Sequence, residues 1–190
     1  MIGDVLVFLK QQLNDFMRLS LGHDGSQPDP VDFIDGEKMD PLTFRAGAVS
    51  LLLLNLEEES SLRAADPYRR TTSNGVQQAI QPDIRLNLYV LFVARYVRYV
   101  DSLHALSLVI RYFQNHRVFA HSNAPGLSES IERLSVELIT LPFAQQNEVW
   151  NALRVSYHPS VLYRVKMVVF QDEEALAAPE LTEKVINTSL

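Results

Sequence analysis

The segment Ser156–His158 holds the side chains that come nearest to a catalytic site. A serine nucleophile needs a histidine to accept its proton and a third group to orient that histidine. Residues two apart lie on one face of a strand, so Ser156 and His158 satisfy the first requirement. No third partner is assignable, and Pro159 indicates a turn into the strand that follows. The sequence also lacks a nucleophile elbow, a phosphate-binding glycine loop and a dinucleotide fingerprint. We predict no catalytic residues, no cofactor and no enzyme activity.

A metal site is not indicated either. The chain has no cysteine and five histidines, none of them in a His-x-x-x-His pair. Four acidic residues surround Gly36: Asp32, Asp35, Glu37 and Asp40. Aligning Gly36 with the sixth position of an EF-hand loop puts residues without side-chain oxygens at positions one, three and twelve: Val31, Phe33 and Leu42. We predict a solvated acidic turn and no metal.

Composition narrows the class of protein further. The chain has 190 residues, 47% of them hydrophobic, with a formal net charge of -6. A net negative charge disfavours nucleic-acid binding, which requires clustered positive charge. Asp4 and Lys10 bound an apolar run that is too short for a signal core or a membrane span. We expect one domain that folds in the cytoplasm, without nucleic acid as a partner and without direct membrane insertion.

Hydrophobic periodicity predicts seven elements that would position these side chains. Residues 2–21 carry an amphipathic helical stripe that ends near Gly22. Residues 22–42 read as a long loop or a short ribbon. The run from Ala48 predicts a buried strand, with a short helix as the alternative because leucines are poor strand formers. A long connecting segment then leads to residues 84–95, where apolar and polar side chains alternate and predict a strand that enters the core.

The second half of the chain alternates helices and strands. Residues 99–117 predict a helix capped by Asp101 or Ser102 at its start, and Asn115-His116 suits its end. A strand over 133–141, a short helix around Trp150 and a strand after Pro159 follow. In the last strand one face should hold alternate residues: Val161, Tyr163, Val165 and Met167.

This order of elements predicts the fold class α/β in the wide sense, also written α+β. We expect a single domain over residues 1–170, with helices packed on a mixed β-sheet. Residues 171–190 are acidic and poor in large apolar side chains, which predicts an arm or a disordered tail.

Two charge clusters are candidate subunit or partner interfaces: Glu57, Glu58 and Glu59, and Arg69 and Arg70. Complementary charged patches on neighbouring subunits would set their register. The alternative is a solvated strand end and a solvated loop.

Four blocks in succession resemble a known family: "VSLLLLNLEEE", "PDIRLNLYVLFVARY", "YVDSLHALSLVIRYFQNHRVF" and "LSVELITLPFAQQNEVWNALRVSYHPSVLYRVKM". The family is that of cap or tail-terminator proteins of phage-tail-like contractile injection systems, of the antifeeding-prophage and virulence-cassette type. The resemblance covers residues 1 to about 170. Its most specific parts are "LNLYVLF" and "WNALRVSYHPSVLY".

The resemblance implies a non-enzymatic structural role and a tail-terminator-like fold. Such subunits form a homo-hexameric ring that contacts the last sheath layer and the last layer of the inner tube, at the end distal to the baseplate. The protein would assemble in the cytoplasm and then belong to the released or cell-associated particle. Sheath subunits exchange extended arms, so we hypothesise that edges of the sheet accept such arms by strand addition.

Two other functions stay open at this stage. One is a small-molecule or peptide binding module with a pocket near Trp150 and Tyr157. The other is a hydrolase that uses Ser156 and His158.

Overall fold

A computed structural model describes residues 1–22, 26–34, 42–59, 69–71, 77–79 and 84–169, with backbone alone for 69–71, 77–79, 84 and 169. Three helices lie in the described residues: α1 (Ile2–Leu21), α2 (Tyr99–Asn115) and α3 (Phe143–Leu153). Eight strands accompany them: β1 (Val31–Phe33), β2 (Ala48–Glu58), β3 (Arg69–Thr71), β4 (Gln77–Ala79), β5 (Ile84–Arg95), β6 (Val118–Ala120), β7 (Ile131–Ile139) and β8 (Ser160–Val169).

Six of the strands form one mixed sheet in the order β1-β2-β5-β8-β7-β6, and β3 pairs with β4 in a separate ribbon. Strand β1 runs parallel to β2, and the other pairs are antiparallel. The long central strands therefore share two ends. Ser160 pairs with Val93 at one end and Val169 pairs with Ile131 at the other. We refer to them as the Ser160 end and the Val169 end.

One face of the sheet, here the helical face, packs against α1 and α2 and forms the main core. Strand alternation points apolar side chains of β2, β5, β7 and β8 to this side. The two helices add their own apolar stripes, including Leu9 and Leu13 of α1 and Val109 and Phe113 of α2, all 2% exposed or less. The result is a continuous apolar layer between the sheet and two helices, as the periodicity predicts.

Within the described residues, the opposite face carries a smaller core, which lies at the Ser160 end. Five buried residues form it: Phe44, Leu91, Val93, Trp150 and Leu162. Helix α3 supplies Trp150, and the segment that precedes β2 supplies Phe44. The remainder of this face, toward the Val169 end, carries polar side chains.

Most of the predicted elements are confirmed. Helix α1 ends at Gly22, which takes the left-handed conformation (φ 70°) and donates its amide hydrogen to the carbonyl of Arg18. The leucine-rich run is strand β2, so the helical alternative is wrong. The alternate residues of β8 face the main core together, as predicted. The mixed sheet with packed helices confirms the fold class.

The predicted cap of α2 is wrong. Its N-cap residue is Arg98, whose guanidinium binds the carboxylate of Asp101 at 2.7 and 2.9 Å. The hydroxyl of Ser102 accepts a hydrogen bond from the amide of Tyr96 at 3.1 Å, so it stabilises the turn before the helix. The three-residue strands β1, β3, β4 and β6 were not predicted individually, because so short a strand shows no alternation.

Candidate assembly surfaces

The histidine of the catalytic hypothesis is half-buried and packs against the smaller core. His158 packs edge-on against Phe44, with ring centroids 5.6 Å apart, and against Trp150 at 6.2 Å. Burial, and then the positive charge of Arg95, lower the pKa of His158. An imidazole that packs edge-on against two aromatic rings is a packing residue here. Ser156 is exposed and precedes the strand, and no described contact joins it to His158.

The pocket expected near Trp150 and Tyr157 is occupied by aromatic side chains. Trp150 is 6% exposed and meets Tyr157 edge-on at 5.4 Å and Phe44 at 6.1 Å. Phe44, Trp150 and His158 thus fill the space beneath α3 with one another. A described cavity of about 470 Å³ lies elsewhere, between α2 and β7.

Of the four acidic residues around Gly36, Asp32 lies within the described residues. Its carboxylate forms ion pairs with Arg45 at 2.8 Å and with Lys10 at 3.5 Å. Asp32 is therefore ion-paired, where a solvated carboxylate was expected. The other acidic residues of that loop lie outside the described residues. No group of three His, Asp or Glu side chains in the described parts of the chain is arranged to hold a metal ion.

A band of linked polar side chains crosses the part of the sheet that no described helix covers. Arg164 of β8 binds Glu137 of β7 at 2.7 Å, and Lys166 reaches the other carboxylate oxygen at 3.0 Å. The hydrogen bond from Arg164, and then the one from Lys166, lower the pKa of Glu137. Arg164 also interacts with Tyr89 of β5. The hydroxyl of Tyr89 donates to Glu57 of β2 at 2.8 Å.

We call this row the polar band: Glu57, Tyr89, Arg164, Glu137 and Lys166. It joins four neighbouring strands and alternates in charge. The hydrogen bond to Glu57 is the main reason that the pKa of Tyr89 is raised, with burial second. No described helix lies over the band, so it forms an ordered, charged surface suited to a polar partner.

The acidic cluster of the sequence lies beside this band at the Val169 end. Glu57 belongs to the band, and the carboxylate of Glu59 accepts a hydrogen bond from the side-chain NH₂ of Asn87 at 3.1 Å. Glu58 closes strand β2 between them. Arg69 and Arg70 form strand β3, and their side chains lie outside the described residues. The complementarity of the two clusters therefore stays a prediction.

One outer edge of the sheet is closed by an asparagine. In β1 the backbone groups of Val31 face away from β2, because the neighbouring Pro30 carbonyl bonds to Val49. The buried side chain of Asn14 in α1 donates to the Val31 carbonyl at 2.9 Å and accepts from its amide at 2.8 Å. A carboxamide thus replaces the peptide group of an added strand, and this edge is unavailable for pairing.

The other outer edge is also closed by an asparagine side chain. The side chain of Asn123 accepts from the amide of Ala120 at 2.8 Å and donates to the carbonyl of Val118 at 3.0 Å. These groups lie on the outer side of β6, because the Arg117 carbonyl bonds to β7 and alternate residues of an antiparallel strand bond to the same side. Periodicity gave no signal for either asparagine, because each acts on a strand of three residues.

The comparisons with known proteins agree with this architecture. The cryo-EM structure of the sheath/tube terminator of an extracellular contractile injection system, PVC, in its extended state, matches with a TM-score of 0.58 at 16% identity. The match covers 100% of this chain and 65% of that one, so the chain spans less than two thirds of the terminator's length. The anti-feeding prophage cap matches with a TM-score of 0.46 at 15% identity over 75% of this chain and 49% of that one.

The mixed sheet with its two helical layers is therefore the fold of a sheath/tube terminator. The Pvc16 N-terminal domain family matches residues 4–184, and the chain belongs to that family. This confirms the resemblance drawn from the four sequence blocks. No curated protein sequence matches significantly. No helix in the described residues is long and apolar enough to span a membrane.

Proposed function

We propose that this protein is a structural cap, or tail terminator, of a contractile injection system. Six copies form a ring at the end distal to the baseplate, where the ring contacts the last layers of tube and sheath and stops their growth. The observation that carries the proposal is the match of the whole chain to a sheath/tube terminator fold, within the Pvc16 N-terminal domain family. The protein acts without catalysis or cofactor.

A closed ring requires two different surfaces on each subunit, because rotational symmetry brings one patch against another. The acidic cluster beside the polar band is one such surface, and Arg69 and Arg70 are the partner patch on the neighbouring copy. Charged rims of this kind set register and suppress wrong pairings more than they add affinity. Assembly takes place in the cytoplasm, and the ring then stays with the particle.

The function is tested by the length of particles assembled without this chain. Electron microscopy of particles from a deletion strain should show tubes and sheaths of irregular or excessive length. Supplying the intact chain in trans should restore uniform length. Particles of normal, uniform length in the deletion strain would contradict the cap assignment. Counting subunits at the particle end by cryo-EM tests the ring of six.

The interface is tested by reciprocal charge reversal. Glu58→Arg should prevent ring formation on the particle, because it places like charges in contact. Adding Arg70→Glu to the same chain should restore it, since every contact in a closed ring contains both patches. Arg154→Glu, an exposed arginine distant from both clusters in the sequence, is the matched control. If the double variant assembles no better than Glu58→Arg alone, the two clusters are not partners.

A further inference from the structure

One face of α2 forms a wall of the cavity of about 470 Å³ that lies between this helix and β7. Ile110, Phe113 and Gln114 line the cavity, at the spacing of residues that share a helix face. Arg117 lines it one turn further along the chain, just beyond the end of the helix. Phe113 is 2% exposed and belongs to the main core, whereas Gln114 and Arg117 are exposed. This wall is therefore apolar where it is buried and polar where it meets solvent.

Strands β7 and β8 form the opposite wall. Val136 and Tyr163 are each 3% exposed, and Leu138, which pairs with Tyr163, is 51% exposed. Glu137 also contributes to the lining, but its carboxylate is held by the two cations of the polar band. Polar and apolar groups thus line the cavity in about equal measure, and its volume lies within the roughly 300–1,000 Å³ of small-molecule sites. A matching ligand combines an apolar part with a polar part.

Tyr163 carries a buried hydroxyl that has no hydrogen-bond partner among the described residues. Its described contacts are between rings, with Phe113 at 4.9 Å and Phe92 at 5.9 Å. The described side-chain atoms that are fully enclosed without a partner are Arg18 Nε and Asn87 Oδ1, so the Tyr163 hydroxyl is not enclosed and opens into the cavity that it lines. Burial raises the pKa of Tyr163 to about 12, so the hydroxyl keeps its proton at neutral pH and can donate.

Arg117 supplies a positive charge beside this hydroxyl donor. Its carbonyl accepts a hydrogen bond from the amide of Val136 at 2.8 Å, which fixes its backbone next to β7. Within the described part of the chain, the Arg117 guanidinium forms no ion pair. One uncompensated positive charge matches one negative charge, and a guanidinium matches the two oxygens of a carboxylate. The lining therefore favours a carboxylate over a phosphate, which carries more negative charge than Arg117 balances.

We propose that this cavity binds an organic carboxylate through Arg117 and Tyr163, with an apolar group of the same ligand packed against Phe113 and Leu138. The carboxylate oxygens accept hydrogen bonds from the guanidinium and the hydroxyl, and the apolar group covers the half-exposed leucine. Two sources share this chemistry: a small acid with an aliphatic or aromatic chain, and the last residue of a polypeptide that ends in an apolar side chain. The site does not depend on the cap assignment.

Ligand-observed NMR with phenylpropionate and with its uncharged amide tests the site on the full chain. The acid should bind with a dissociation constant on the order of 1 mM, as is typical of about eleven non-hydrogen atoms. The amide keeps the ring and lacks the charge, so it should bind about tenfold more weakly. Equal binding of the two compounds, or no binding of the acid, would overturn the proposal.

Variants of the two polar groups locate the binding. Arg117→Met keeps an apolar stem, so it should weaken binding of the acid about tenfold and leave binding of the amide unchanged. Arg111→Met is the matched control, because Arg111 is exposed on the same helix and lies outside the lining. Tyr163→Phe should also weaken binding of the acid, and it keeps the ring contacts, so its melting temperature without ligand should not fall. Native affinity for the acid in Arg117→Met would overturn the proposal.

The tripeptide acetyl-Ala-Ala-Phe with a free carboxyl end separates the two sources. Binding about tenfold tighter than that of phenylpropionate, and lost in Arg117→Met, would assign the site to a polypeptide terminus. Weaker binding than that of phenylpropionate would assign it to a small acid. A tripeptide that binds Arg117→Met and the native chain equally would contradict recognition of the carboxylate. No particles are used, so failure here is distinct from failure of the cap assignment.

Discussion

The two faces of the sheet differ in how completely they are covered. The helical face buries an apolar layer that runs the length of β5 and β8 beneath α1 and α2. The opposite face is covered at the Ser160 end by α3 and the segment that precedes β2, and it carries the polar band toward the Val169 end. The same strands supply both faces, because their side chains alternate.

We expect the two faces to contribute differently, one mainly to stability and the other mainly to recognition. Burial of apolar area supplies most of the free energy of folding, so the helical face is expected to dominate stability. Exposed ion pairs contribute little to stability but do determine which charged surface can approach. The chain thus combines an apolar core on one face with an exposed, charged surface on the other. Four substitutions test this division, in order of decreasing expected effect.

Phe92→Ala should have the largest effect on stability. Phe92 is 0% exposed and contacts Phe113 and Tyr163, with ring centroids 5.6 and 5.9 Å away. Removing a buried aromatic ring typically lowers the free energy of unfolding by about 3–5 kcal/mol. Urea denaturation measures the change, and Leu19→Ala on the exposed side of α1 is the control. A loss below about 1 kcal/mol would mean that the helical face is not the dominant core.

Leu91→Ala tests the opposite face at the adjacent position of the same strand. Leu91 is 4% exposed and packs in the smaller core. We expect a loss of about 2–3 kcal/mol, toward the low end for buried leucine, because this core is small and its surroundings can relax. The same urea titration provides the value. A loss of unfolding free energy equal to that of Phe92→Ala would show that the two faces contribute equally to stability.

Acid should weaken the smaller core through His158. Burial and Arg95 lower its pKa in the folded state below the ordinary value of 6.5. The unfolded chain therefore binds the proton more readily, and stability is lost as the pH falls through about 6.5 toward the lower, folded-state pKa. Thermal unfolding at pH 7.5 and 5.5 should show a larger drop for the native chain than for His158→Gln. Equal drops in the two proteins would contradict this assignment.

Glu137→Gln in the polar band should change stability least. The carboxylate is 42% exposed, so its bonds to Arg164 and Lys166 are screened, and we expect a loss below about 1 kcal/mol at pH 7. Because the pKa of Glu137 is lowered, its stabilising contribution is present at neutral pH and is lost as the pH falls through its folded-state pKa. The native chain and the variant should therefore converge in stability once the pH is below that pKa. A difference that persists down to the acid limit of the folded state would exclude ion pairing as its cause.

Sequence reasoning was most reliable where a local pattern repeats. The helical stripe of α1 and the alternation of β5 and β8 extend over ten residues or more, so period and length together identified the element and its buried face. The cap of α2 was wrong because Asp101 and Ser102 both suit an N-cap. Their actual bonds, to Arg98 and Tyr96, depend on how the chain leaves β5.

The candidate surfaces were less predictable than the fold. Glu57, Glu58 and Glu59 are visible as a run, but nothing local shows that Tyr89 and Arg164 connect Glu57 to Glu137 across four strands. The point at which β6 stops along β7 is likewise a matter of pairing between two strands. The pairing of the charge clusters stays a prediction.

The sequence by itself determined the class of fold, the main core and the family, because hydrophobic period and block order are properties of consecutive residues. Tertiary structure alone decided which edges are closed and which faces are uncovered. Asn14 meets Val31 across 17 positions, and the hydroxyl of Tyr112 donates to Gln12 across 100. Such contacts satisfy polar groups that burial would otherwise leave unpaired, and they exist only once the helices lie against the sheet.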